Sequence, residues 1–263
     1  MGGDILRRPD QSEPSKKINV IYVTSLSHSG STLLDVMLNA HTRVFSVGEL
    51  KQLTSKLRAR SARAKRKRCS CGVPFLDCPF WSAVNDEMVL AGGLTLEQLN
   101  VTDYSDEANF QRDTVLLFDA IRHVSRASFI VDSSKDLRRL KLLLRNPRLN
   151  VFPIHLQRDP RGQIYSMLRK GRKSALMQRA AYYGFLNSRI NRNIRGKPHA
   201  SITYEELVAS PVESLRTILG PLELEFQPAQ LRWAEEEKHH VGGNRMRRGV
   251  TAQSNSMKLG EIS

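Results

Sequence analysis

The chain has 263 residues, 40% of them hydrophobic and 25% charged, an ordinary globular composition that excludes an intrinsically disordered or fibrous chain. Lys and Arg number 41 against 26 Asp and Glu, a net charge of +15, which attracts anionic ligands. No apolar stretch approaches the roughly 20 residues of a membrane helix, residues 1–17 lack an apolar signal core, and three cysteines are too few for a disulfide scaffold. A soluble, cytoplasmic protein is therefore expected, with one α/β domain over 18–248 between flexible flanks at 1–17 and 249–263.

In chain order, Ile18–Thr24 is a short β-branched run that predicts a buried strand. A Ser/Gly loop, Ser25-Leu-Ser-His-Ser-Gly-Ser-Thr32, leads into a predicted helix over Thr32–Ala40. Arg43–Val47 predicts a short second strand ending at Gly48-Glu49. Residues 51–100 carry a basic run (Lys56–Arg68), a cysteine cluster and Gly92-Gly93, and are expected as an irregular helical insertion.

Asn109–Arg126 predicts an amphipathic helix, Ser128–Asp132 a strand, and Leu137–Arg145 a helix that Pro147 ends. Asn150–Gln157 predicts a strand whose Pro153 favours an edge or bulge. Helices are expected at Gly162–Leu168, Ala175–Arg195, Pro211–Leu219 and Pro228–His239, and a last strand at Ala200–Thr203. Strands alternating with helices predict a parallel sheet covered on both faces, with ligands at the carboxyl ends of its strands.

Small residues in the first loop let backbone N–H groups and the helix N-terminus face a phosphate. A kinase-type loop, G-x-x-x-x-G-K-[ST], is matched at Gly30 and Thr32 only; Ser25 replaces its first glycine and Ser31 its lysine. A triphosphate is thus poorly supported. Two further strand ends carry candidate ligands. One is Val131-Asp-Ser-Ser-Lys135, and the other is Arg158-Asp-Pro-Arg-Gly-Gln-Ile-Tyr-Ser166, whose Arg fork and Ser hydroxyl suit a second phosphate.

On these residues the sequence resembles the sulfotransferases that use 3'-phosphoadenosine 5'-phosphosulfate (PAPS), in particular the bacterial and tyrosylprotein branches. The resemblance rests on Ser29-Gly30-Ser31-Thr32-Leu33-Leu34 with Asn39-Ala40-His41, and on Arg158 with Ser166 eight residues later. It implies a P-loop-type parallel β-sheet flanked by helices with an irregular, Cys-containing helical insertion. It further implies a 5'-phosphosulfate loop at Ser29, Gly30, Ser31 and Thr32, and a 3'-phosphate site at Arg158 and Ser166. Lys135 matches the lysine that reaches the sulfuryl group, and His28 stands where the family carries Arg or Lys. Glu49 is placed as the base that takes the proton of a hydroxyl acceptor. Tyr204, in Tyr-Glu-Glu-Leu, lies against the nucleotide, and Asn244 and Arg247 belong to a late segment over the cofactor. His41, His155 and His239 are weaker substitutes for the base.

PAPS is the expected sulfuryl donor, and no metal is expected. The acceptor is a hydroxyl compound, anionic if the basic run at 56–68 and the helix over 172–195 flank it. Two other readings stand beside this one. A P-loop nucleotide or small-molecule kinase would use Asp132 for Mg²⁺ but has no loop lysine. A nucleic-acid binder would use the basic run, yet aromatics are only 6% and none interleaves that run, which leaves stacking recognition unsupported. The cluster Cys69-Ser-Cys71-Gly-Val-Pro-Phe-Leu-Asp-Cys78 has no fourth Cys or His nearby. It stays open between buried structural thiols, a disulfide, and a metal site with a distant ligand.

Overall fold

The computed structural model describes residues 17–57, 68–168, 176–236 and 238–242. Five strands form one sheet in the order β2-β3-β1-β4-β5, every pair parallel. They are β1 (Ile18–Ser25), β2 (Val44–Gly48), β3 (Phe129–Asp132), β4 (Leu149–Gln157) and β5 (Ala200–Thr203). The helices are α1 (Ser31–Asn39), α2 (Leu53–Leu57), α3 (Pro79–Gly92), α4 (Glu107–Ser125), α5 (Leu137–Arg145), α6 (Pro160–Leu168), α7 (Leu176–Ile194), α8 (Tyr204–Ala209) and α9 (Pro211–Leu219). None of the described helices is long and apolar enough to cross a membrane.

The central strand β1 explains the two-sided core. Successive side chains of a strand point to opposite faces. Val20 and Tyr22 thus pack with Trp81, Phe110, Phe118 and Leu140 on one face, while Ile21 and Val23 pack with Leu34, Met37, Leu156 and Ile218 on the other. Burial of both faces accounts for the unbroken apolar stretch Val20–Val23.

Several expectations need adjusting. β4 is an interior strand, although Pro153 lies one residue before its pairing with β5 begins at Ile154. On that side β4 has no strand partner at the proline. The helix expected over 228–239 is not formed. Pro228–Arg232 make one 3-10 turn, and residues 238–242 instead run beside β2. There the Val241 N–H donates to the Val47 carbonyl and the Glu49 N–H to the Val241 carbonyl, both at 2.7 Å. These bonds pair backbone groups on the open edge of β2, which a separate helix would leave to solvent.

Three arginines of the basic stretch 138–148 are engaged within the protein. Arg139 is fully buried and ion-paired to Asp132 at 2.7 Å, and its Nη1 donates to the Val101 carbonyl. Arg138 lies over the Tyr104 ring, and Arg145 pairs with Glu107. Residues 58–67 of the other basic run lie outside the described residues. The guanidinium of Arg139 thus ties the end of β3 to the 101–106 loop. Removing one partner of such a pair leaves a buried, uncompensated charge. Arg139→Met should therefore lower unfolding stability by about 3–5 kcal/mol in urea titration.

His41, just past the C-terminus of α1, is at the end of that helix away from the loop. Its Nδ1 accepts from the Arg43 N–H at 3.0 Å and its Nε2 donates to the Glu225 carbonyl at 3.1 Å, an arrangement only the neutral imidazole satisfies. Burial foremost lowers its pKa below 6.5; the Glu225 carbonyl opposes this and the Arg43 charge adds to it. The unfolded chain therefore binds a proton that the folded chain refuses. Stability is full above 6.5 and falls as the pH drops toward the depressed folded value. Melting temperature measured against pH should show this acid-side loss, and His41→Asn should flatten it.

Candidate active site

In parallel sheets the loops at the carboxyl ends of the strands meet on one edge, and register decides which ones meet. Tyr22 of β1 is level with Asp132 of β3, Asp132 with Gly48 of β2, and Ser25 with Leu156 of β4. The segments beginning at Ser25, Glu49, Ser133 and Arg158 consequently converge.

The loop from β1 to α1 turns through left-handed backbone at His28 (φ 70°) and Gly30 (φ 84°). For a non-glycine such as His28 this costs about 1–3 kcal/mol. A Cβ at Gly30 would come within 2.2 Å of Tyr204 Cδ2, so only glycine lets the loop lie flat against that ring. Gly30 also caps α1, whose Leu33 N–H donates to its carbonyl at 2.9 Å. Ser29 is buried, and its Oγ has no hydrogen-bond partner among the described residues. Thr32 sits in the first turn of α1 and is buried.

Three strand ends are joined by Lys135. Its Nζ donates to Glu49 Oε1 at 2.7 Å and to Ser31 Oγ at 3.2 Å, with the two charged side chains only 13% and 10% exposed. Lys135 itself has left-handed backbone (φ 59°). Preceding it, the Ser133 N–H donates to the Gly48 carbonyl at 2.8 Å. Glu49 follows a register shift between Ser46 and Gly48, with Gly48 at φ 76°; bulges of this kind re-aim the next side chain.

At the end of β4, Arg158 Nη1 donates to the His28 carbonyl at 3.1 Å, and its guanidinium lies 4.2 Å over the Tyr204 ring. Its Nε is buried with no partner among the described residues. Ser166 Oγ is 3.3 Å from His28 Nδ1, so both members of the second motif reach His28. Tyr204, first residue of α8, is fixed by the Thr203–Glu206 capping box. Burial raises its phenol pKa, Arg158 opposing and Glu205 adding.

Glu49, His28, Lys135, Ser29, Gly30, Ser31, Thr32, Arg158, Ser166 and Tyr204 thus share one region. Asn244 and Arg247 lie outside the described residues. The alternative bases do not join the group. His41 is engaged as above, and His155 is buried against Asn187 and Asn191. His239 sits among the cysteines. Asp132 cannot serve Mg²⁺: one of its oxygens is held by Arg139, the other by the N–H and hydroxyl of Ser134.

Sequence reasoning missed three supporting residues. Gln52 donates to Glu49 Oε2 at 2.5 Å, Gln163 to the Ser27 carbonyl at 2.8 Å, and the Tyr183 hydroxyl to the Arg158 carbonyl at 2.9 Å. Gln52 lies three residues after Glu49 and Gln163 three before Ser166, and that closeness to the motifs was their signal in the sequence. Tyr183 comes from α7 and carries no local signal.

The Gly30–Tyr204 contact generates a test. Gly30→Ala should destabilise the protein by at least about 1–2 kcal/mol from the left-handed backbone alone, with more from the ring. Adding Tyr204→Ala should recover the ring part only, a positive coupling readable in a double-mutant cycle by denaturant unfolding.

The sulfotransferase domain from the curacin biosynthetic pathway superposes with a TM-score of 0.55 at 20% identity, covering 89% of this chain and 83% of that one. The sulfotransferase domain from the Synechococcus PCC 7002 olefin synthase gives 0.55 at 19% identity, covering 86% and 81%. These likenesses establish the P-loop-like α/β fold. No curated protein sequence matches. The model of the sulfotransferase family matches residues 20–228. The match spans the loop after β1, the Arg158–Ser166 segment and the strand ends that Lys135 joins, and the chain belongs to the sulfotransferase family.

Proposed function

We propose that the protein transfers a sulfuryl group from PAPS to a hydroxyl acceptor by in-line displacement, with Glu49 as the general base. The observation that carries this reading is the Lys135 ammonium, within hydrogen-bond reach of both a carboxylate (Glu49) and the first loop (Ser31). A cation and a base side by side at a phosphate loop are what sulfuryl transfer needs. The cation offsets charge developing on the transferred group, and the base accepts the acceptor's proton.

The residues present fit a bisphosphorylated donor. Ser29 Oγ and Arg158 Nε are buried polar atoms without a protein partner among the described residues, and such atoms normally find one. Gly30 opens the N-terminus of α1 to an anion. PAPS supplies the sulfuryl group in an activated mixed anhydride.

Ser29, Gly30, Ser31 and Thr32 bind the 5' end through the loop and helix N-terminus. Arg158 and Ser166 hold the 3'-phosphate, and Tyr204 orients Arg158 from below. His28 links the two subsites, since its carbonyl holds Arg158 and its imidazole meets Ser166; protonated, the ring adds a cation at the loop. Glu49 is kept in place by Gln52 and by the Val241 backbone and takes the proton of the acceptor hydroxyl. Asn244 and Arg247 remain assigned to the segment over the nucleotide.

Thermal-shift measurement tests the donor assignment. Adenosine 3',5'-bisphosphate should raise the melting temperature, while ATP with Mg²⁺ should not; the opposite result overturns it. Arg158→Ala should abolish the shift. Glu49→Ala should keep the shift and lower turnover about 10²–10⁴-fold, measured as radiolabelled sulfate transfer to a panel of sugars, phenols, lipids and peptides. Full activity in that variant removes Glu49 from the base role.

A further inference from the structure

The cysteine cluster is not absorbed by the transfer chemistry. Cys69, Cys71 and Cys78 are free, and the structure adds a residue that is 161 positions from Cys78 in sequence, His239. The four potential ligand atoms all lie within 4.8 Å of one another. Cys78 Sγ is 3.3 Å from His239 Nδ1, Cys69 Sγ is 3.8 Å from the same nitrogen, and Cys71 Sγ is 3.7 Å from Cys78 Sγ.

Those separations have a simple interpretation. With Zn–S near 2.3 Å and Zn–N near 2.0–2.1 Å, tetrahedral coordination places neighbouring ligand atoms about 3.5–3.8 Å apart. The three edges given above centre on that range. Three sulfurs and one imidazole also form the donor set that selects zinc over the oxygen-seeking cations.

We propose that Cys69, Cys71, Cys78 and His239 bind one zinc ion in a closed structural site. It clips the insertion to the segment that edges β2. With four protein ligands the site has no open position, so its role is architectural rather than catalytic. Binding exchanges three thiol protons for one Zn²⁺ and leaves the imidazole neutral, so the loaded site carries one net negative charge.

The surroundings are built for such a site. Cys69 and Cys78 are completely buried, and Cys71 is half-buried. Cys78 also caps the N-terminus of the 14-residue α3, where the helix favours negative charge. The Phe80 ring stacks on the imidazole at 5.1 Å and 11°, and Trp81 Nε1 holds the His239 backbone by donating to its carbonyl at 2.9 Å. Such supporting contacts are what hold a metal-binding histidine in place.

The clip has a direct route to Glu49. Ser70 Oγ, between two of the ligands, donates to the Lys238 carbonyl at 2.5 Å and accepts from the His240 N–H at 2.8 Å. The next residue, Val241, brackets Glu49 through the two 2.7 Å backbone bonds to β2. Gly242 then packs on Gln52, where an added Cβ would lie 2.7 Å from the amide oxygen. Two residues past its histidine ligand, the chain thus grips the backbone of the proposed base.

The test uses the untagged full chain purified under reducing conditions, with zinc as the probe. Elemental analysis should give close to one zinc per chain, and X-ray absorption at the zinc edge a shell of three sulfurs and one nitrogen. Cys78→Ser and His239→Ala should lose most of the metal, whereas His239→Cys should retain it in a four-sulfur shell. Should the first two variants fail to fold, the wild-type protein still decides. Mercurial titration of its thiols should release zinc in step with their modification, read by a chromogenic chelator.

A chain that stays zinc-free after incubation with zinc overturns the proposal. So does a Cys71–Cys78 disulfide in the active protein, or stoichiometric iron in place of zinc. Binding of adenosine 3',5'-bisphosphate measured on the same preparation keeps the two readings separate. Its failure counts against the donor assignment and leaves the zinc result standing.

Discussion

The in-register parallel pairing of β1 with β3 and β4 is the constraint on which the rest of the molecule depends. It brings Tyr22 level with Asp132 and Ser25 level with Leu156, so the chain leaves three neighbouring strands at the same height. Shifting one strand by a single residue would send each buried side chain to the opposite face, among packing partners of a different shape. The same shift would separate Lys135 from Ser31. Core packing and site assembly therefore rest on one register.

Around that edge the protein accumulates polar groups a core would normally exclude. Asp132 and Arg139 are fully buried, Glu49 and Lys135 nearly so, and two loop residues hold left-handed backbone without being glycine. Each costs stability in isolation. Together they are tolerated because each is tied to another: Asp132 to Ser134, Ser134 to the Lys51 N–H, and Glu49 to Gln52. Preorganised donors of this kind need no rearrangement when charge develops nearby.

The C-terminal segment plays an unexpected part in this arrangement. Local pattern favours a helix after Pro228, but a helix would forfeit the backbone pairing of Val241 with β2 and the seat of His239 among the cysteines. Those contacts span roughly the whole described chain, from residues 47–49 and 69–81 to 238–242. Tertiary pairing overrode propensity there, as it commonly does where a short segment can satisfy an open strand edge.

Much of the fold was legible without coordinates. A buried parallel strand is mostly apolar, a loop that turns straight from a strand into a helix needs small residues, and a helix stops at proline; those local demands leave marks at Ile18–Thr24, Ser25–Thr32 and Pro147. The candidate loop and Arg158 with Ser166 were readable for the same reason, each lying next to a strand end, whereas Lys135 and Glu49 were singled out by the family resemblance. What sequence could not supply were relations across long separations. The placement of Ser166 against His28, of Tyr183 under Arg158, of Val241 beside Glu49, and of His239 with three cysteines follows from sheet register and packing. No local periodicity encodes them. They exist only once the strands have aligned, because a side chain's partner is set by distance in space rather than by spacing along the chain.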